Sequence, residues 1–248
     1  MFKVYQQTQN LKMKLLQKVR KHHEAKKQRG MTLLEIIIVL GIIGTIAAGV
    51  VVLAQRAFDS RAVSDVVSNT NTIRVAMKDA YQRASGYPVS TGAASGYTVD
   101  NIRKTGEAKE AVARLVQLGK LSIDEARNGI SNDFVNIGGA KTAAGQTDTG
   151  LKGFVVEING LNQDQCRNII SQVGNQWDYV SVTTAPAGTY KVTSAVDMSV
   201  APTGEGGEAT SDAILRSLNS TGNVNITPDK VALVCIDSPE NSVILGSR

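Results

Sequence analysis

Apolar residues fill the chain from Met31 to Leu53 almost without a break, and beyond Ala54 they thin into a stripe. Glu35 is the one charged residue between Met31 and Gln55. No charge occurs from Ile36 to Ala54, a run close to the roughly 20 residues that a helix needs to cross a bilayer. Past it, Val63, Val66, Thr70, Ile73, Met77 and Ala80 recur in alternating steps of three and four, with Val67 and Tyr81 alongside. That spacing lays an apolar face along one side of a helix. Arg56, Asp59, Arg61, Asp65, Arg74 and Lys78 fall largely elsewhere on its circumference. No proline interrupts the pattern before Gly86-Tyr87-Pro88, so it predicts one continuous helix over residues 31–83. Residues 31–54 form its membrane-spanning half and residues 55–83 its amphipathic half. About 50 helical residues reach roughly 75 Å, and the stripe needs cover from the rest of the chain.

Residues 84–248 read as a globular α+β region. Helices are predicted at Glu107–Leu118, Ser122–Arg127, Asn162–Val173 and Thr210–Leu218, with Ser122 and Glu125 as a capping box. Strands are predicted at Gly153–Ile158, Trp177–Thr183, Tyr190–Val192, Lys230–Ile236 and Ser242–Leu245. Residues 85–106 and 201–208 have loop composition, and residues 128–150 show no clear period. Strands and helices mix without regular βαβ alternation, which predicts a largely antiparallel sheet packed on the amphipathic half of the long helix.

Charge changes the picture. The whole chain carries +5, which alone would suggest a nucleic-acid partner. Nearly all of the surplus lies in residues 1–30, which hold nine Lys/Arg and one Glu; the remainder is mildly acidic. A basic segment ahead of an apolar helix fits the cytoplasmic side of a membrane anchor, and no nucleic-acid partner is expected.

Candidate chemistry is sparse. His22 and His23 are the only histidines, and both precede the apolar run. Asp124, Glu125, Glu157 and Asp164 have no spacing that suggests metal or acid–base work, and they read as solvated faces. Trp177 and Tyr179 read as packing residues. GGAKT at 138–142 lacks the glycine of a phosphate-binding loop at Ala140. No metal, cofactor or enzymatic activity is expected. Cys166 and Cys235 both lie beyond the anchor, and an even pair in an exported region reads as one disulfide. It would close a loop of about 70 residues, worth on the order of 4 kcal/mol. Two free buried thiols and a metal pair are the alternatives, and two cysteines alone make a poor metal site.

Glu35 carries the sharpest hypothesis. A charge at the centre of a membrane helix costs about 2.5–3.5 kcal/mol, so this carboxylate needs a partner. A cut after Gly30 would supply one, the α-amino group of Met31, whose ordinary pKa is about 8. Gly30, then Met31, then Glu35 as the fifth residue, then TLLEIIIVLGIIG running into an unbroken apolar helix, resembles the cleavage site of type IV prepilins. The long leader and Met31 resemble the type IVb subclass. MTLLEIIIVLGIIGTIAAGVVVLAQRAFDSRAVSDVVSNTNTIRVAMKDAYQ, LVQLGKLSIDEARNGIS, INGLNQDQCRNII and the late Cys235 are similar to the major pilins of enteric type IVb pili.

The resemblance implies the type IV pilin fold. It implies that leader 1–30 is removed by a prepilin peptidase between Gly30 and Met31, and that Met31 is then N-methylated. Glu35 would pair with the N-terminal amine of a neighbouring subunit and set the register of a homopolymer. Gly41, Gly44 and Gly49, with Ala47, Ala48 and Ala54, would allow close helix approach in membrane and filament. The implied partners are an assembly ATPase, a platform protein and an outer-membrane secretin, with a minor pilin as a further candidate. The implied location is the inner membrane of a Gram-negative bacterium before assembly, then a surface filament for host-cell adhesion, colonisation and aggregation. A pseudopilin of a type II secretion system is the alternative reading.

Overall fold

The computed structural model describes residues 32–203 and 212–248. Two compact units make up the chain, Met1–Ala54 and Gln55–Arg248. Helix α1, Leu33–Tyr81, begins in the first and ends in the second.

Within the first unit the described residues are helical from Leu33, and their apolar side chains are exposed all round, from Leu33 to Leu53. Gly30 and Met31 lie outside the described residues.

In the second unit the predicted stripe holds. Val63, Val66, Thr70, Ile73 and Met77 are buried, with Ala76 in place of Ala80, which is half-buried. They join a core with α2 (Ala111–Gln117) and one face of a six-stranded sheet. The sheet comprises β1 (Asn136–Lys141), β2 (Gly153–Leu161), β3 (Tyr179–Thr184), β4 (Val196–Asp197), β5 (Ala213–Arg216) and β6 (Asn241–Ser247). Their order is β4-β1-β2-β6-β3-β5, antiparallel except for the β1–β4 pair. The final strand is thus central, and the two shortest strands are the edges. Helices α3 (Gln163–Val173) and α4 (Pro228–Val234) are joined by the Cys166–Cys235 disulfide, Cys235 being the residue that ends α4.

Arg74 departs from the sequence reading. Rather than standing clear of the apolar face, its guanidinium lies 5.0 Å from the centre of the Trp177 ring. It donates to Gln176 O at 2.8 Å and to Ser247 Oγ at 3.2 Å. Trp177 is itself buried and stands edge-on to Phe154. Arg74→Ala should therefore cost about 2 kcal/mol, read by urea unfolding followed through Trp177 fluorescence. An unchanged midpoint would show the clamp to be idle.

Four other expectations fail for identifiable reasons. The predicted helix Glu107–Leu118 is helical only from Ala111, and ahead of it the Tyr97 hydroxyl accepts from the backbone N–H groups of Lys109 and Glu110 at 2.9 and 3.1 Å. Ser122–Arg127 forms the Ser122–Glu125 capping bonds around turns rather than a helix. Those bonds hold the Glu125 carboxyl below its usual range. Of the predicted helix Thr210–Leu218, Thr210 and Ser211 lie outside the described residues, and the rest is replaced by β5, where Ala213 and Leu215 turn inward at strand period. The predicted strand Lys230–Ile236 is instead α4, opened by Thr227 and by Pro228 in its first turn, a helix-start signal present in the sequence.

Candidate functional site

The first turn of α1 carries the candidate assembly site. Thr32 O accepts from the backbone N–H of Glu35 at 3.0 Å and of Ile36 at 3.2 Å. Thr32 Oγ1 also accepts from Glu35 N at 3.2 Å. Thr32-x-x-Glu35 is the spacing of a capping box, yet only half of the box is made. Among the described residues the Glu35 carboxylate receives no hydrogen bond and no cation. Thr32 is a residue that sequence reasoning missed, although the spacing was there to be read.

From Ile36 to Leu53 the helix has no polar face. Leu33 is 78% exposed and Leu53 67%, and the apolar residues between them are open as well. Such a surface is stable only in lipid or against other apolar helices. By length and composition this is the one described helix able to cross a membrane. A methyl group added at Gly41, Gly44 or Gly49 would meet no other group within 4 Å, so the glycines leave bare backbone available to a neighbour. Thr45 returns its hydroxyl to Ile42 O at 2.8 Å and presents no free donor.

The second unit holds one carboxylate that the sequence placed wrongly. Glu157, read as solvated, is fully buried on β2. The Lys191 and Val192 backbone N–H groups donate to it at 2.8 and 2.9 Å, Asn136 Nδ2 at 3.1 Å and Ser242 Oγ at 3.1 Å. It therefore ties β1, β2 and β6 to the segment 185–192. The same bonds explain why Tyr190–Val192 is no strand. Two of its N–H groups are spent on a side chain, and the Tyr190 hydroxyl donates to Phe134 O. Asn159, two residues along on the same face, donates to Asp133 Oδ2 at 2.7 Å and Thr189 O at 2.9 Å, extending the same tie.

Burial pushes the Glu157 carboxyl above the ordinary 4.5, outweighing its four donors, which pull the other way. Burial, with Asp133 and Glu157 nearby, likewise pushes the Tyr190 phenol up. At a pH between the ordinary value and the raised folded one, the folded chain thus holds more of this proton than the unfolded chain does. The stabilisation from that proton is complete below the unfolded pKa and is lost as pH rises through the folded one. Measured by urea unfolding between about pH 4 and pH 7, the advantage of wild type over Glu157→Gln should be largest in acid and shrink toward neutrality. A pH-independent gap would refute the shift.

No three His, Cys, Asp or Glu side chains among the described residues are grouped to hold a metal ion. Both cysteines are consumed by the disulfide. Trp177 and Tyr179 are buried, as packing residues.

Comparison with known proteins agrees with this geometry. Residues 114–239 match the family described as toxin-coregulated pilus subunit TcpA, and residues 25–51 match the prokaryotic N-terminal methylation motif. The toxin coregulated pilin of Vibrio cholerae is 37% identical over 165 residues, and that of a serotype O1 El Tor Inaba strain 35%. In each case the match covers 66% of this chain and 66% of the relative, just under two thirds of its length. The crystal structure of TcpA, a type IV pilin from the El Tor biotype of Vibrio cholerae, superposes with a TM-score of 0.58 at 21% identity. It covers 76% of this chain and 99% of that one, and it shares the fold.

Proposed function

This chain belongs to the type IV pilin family of the toxin-coregulated pilus subunit, and from that premise we propose that it is the major structural subunit of a type IVb pilus. The observation that carries the reading is the first turn of α1: a carboxylate that no other described residue pairs with, at the head of a segment that is apolar and exposed from Ile36 to Leu53. In a bilayer the apolar surface is satisfied and the charge is not. In a stack of identical helices both are satisfied, once each Glu35 meets the amine of an incoming Met31.

Prepilin peptidase cuts between Gly30 and Met31 and the new terminus is methylated, a reading supported by the methylation motif matched over residues 25–51. The leader 1–30 leaves, residues 31–54 hold the subunit in the inner membrane as a single pass and later line the filament core, and residues 84–248 face outward. Residues 55–83 join the two. Assembly draws on an ATPase, a platform protein, a secretin and a minor pilin, and the fibre serves host-cell adhesion, colonisation and aggregation. The segments LVQLGKLSIDEARNGIS and INGLNQDQCRNII support a further likeness to the longus and colonisation factor antigen III pilins.

The test is the intact mass of the chain in material sheared from the cell surface. The expected mass is that of residues 31–248 plus one methyl group and minus two hydrogens. A chain cleaved and methylated but retained in the membrane would favour the type II secretion pseudopilin, and an uncut chain would overturn both readings.

A further inference from the structure

The last described strand in chain order is the one on which the sheet closes. β6 pairs with β2 on one side and β3 on the other, and all of its residues are buried. α3 packs against both β6 and α4, so the disulfide that joins the two helices lies beside the docked strand. Cys166 and Cys235 are each 0% exposed. Exchange at a disulfide requires a thiolate to reach one of its sulfurs, and in the closed fold none can.

Asn241, the first residue of β6, spends its whole side chain on this corner. Its Oδ1 accepts from Ile236 N at 2.9 Å. Its Nδ2 donates to Ile236 O at 3.0 Å, Ser238 O at 2.8 Å and Leu161 O at 3.2 Å. Ile236 follows Cys235, and Leu161 precedes Asn162, the residue that caps the helix carrying Cys166. Gln163 Nε2 adds a bond to Cys235 O at 2.9 Å. One buried amide thus connects the entry of the central strand, the turn after one cysteine and the start of the helix that holds the other.

We propose that the Cys166–Cys235 disulfide forms before β6 enters the sheet, and that Asn241 then seals it by tying the entering strand to the turn after Cys235. The reaction that supplies the oxidised subunit is a thiol–disulfide exchange on a chain whose last strand is still undocked. The two thiols give up two protons and two electrons to a disulfide-bearing protein oxidant through one mixed disulfide. The new S–S bond forms as the oxidant's bond is reduced to two thiols. After closure, exchange in either direction waits for β6 to leave.

The experiment uses the full chain in detergent micelles, with dithiothreitol as reductant. The rate of disulfide loss should level off as reductant is raised, at the rate at which the Val243, Ile244 and Leu245 amides exchange with solvent. Asn241→Ala should raise that plateau at least about tenfold. Asn219→Ala, which loses turn bonds to Thr221 and Ser199 instead, should leave it unchanged. A rate that climbs in proportion to reductant while the β6 amides stay protected, or a plateau that Asn241→Ala leaves where it was, would overturn the proposal.

Should Asn241→Ala fail to fold, wild type decides. The chain is unfolded, reduced and returned to native conditions, and oxidised glutathione is added after increasing delays. Unprotected β6 amides in the reduced chain, or protected amides with slowed oxidation, support the order. Protected amides with oxidation as fast as in the unfolded chain reverse it.

Discussion

Cells making only Glu35→Ala should cleave the chain after Gly30 and display no filaments. The substitution removes a charge of a kind that costs about 2.5–3.5 kcal/mol at the centre of a membrane helix and less toward its end, so it should not hinder residence in a bilayer. It also removes the one group at the first turn that an incoming amine can neutralise. Separating a buried pair of this kind costs roughly 3–5 kcal/mol, which lowers each docking equilibrium a hundredfold or more. Glu35→Gln keeps the shape and the polarity but not the charge, and it should fail as well. Sheared-surface protein quantified by immunoblot, beside the mass of the membrane-bound pool, reads both halves. Abundant filaments from either variant would remove Glu35 from the assembly step.

The second large effect is expected far from any interface, at Glu157. Glu157→Ala leaves two backbone N–H groups, an amide and a hydroxyl facing an empty space in a buried site. A stranded buried donor costs about 1–3 kcal/mol. Some relief comes from the Ser242 hydroxyl, which can rotate, so a total near 4 kcal/mol is expected. Against an ordinary stability of about 5–15 kcal/mol, that is enough to empty the folded state in a marginal variant. Glu157→Gln should cost about 2 kcal/mol, because whichever way its amide is turned, an NH2 faces at least one backbone N–H. Urea unfolding at neutral pH measures both. A loss below about 1 kcal/mol for Glu157→Ala would mean that water or the 185–192 segment re-satisfies the donors.

What the sequence discloses differs between the two units for a physical reason. In α1 nearly everything is local. Helical period, absence of proline and the lone charge at Glu35 are properties of neighbouring residues, and the long helix and its stripe follow from them. Asn162 and Gln165 likewise announce the start of α3 through a capping box that the structure makes in full. Elsewhere the deciding partners are distant in sequence. Strand β1, NIGGAK, has no strand signature because its glycines answer to another segment. A methyl group on Gly139 would come within 2.8 Å of Tyr87 O, and one on Gly138 within 2.9 Å of Ser90 Cβ. Gly139 N instead donates to Pro88 O at 2.6 Å. Glu157 looks like any surface acid until the segment around Lys191 folds over it. The short apolar runs ILRSL and KVALV fit helix and strand alike, and pairing with β3 decides the first. The candidate assembly site was legible because it is a one-turn motif. Its proposed partner, the α-amino group freed at Met31, would come from another molecule.

The edges of the sheet set a limit on how the subunit meets its own kind. One edge is a two-residue strand ending in Asp197, and the other a four-residue strand ending in Arg216. Long bare edges invite strand-by-strand pairing between copies, and short charged ones discourage it. For a subunit that assembles with copies of itself, as proposed above, that hazard would be present before and during assembly. On the proposed function, blunt edges would leave the apolar helix as the surface for self-recognition and steer crowding toward fibre rather than aggregate.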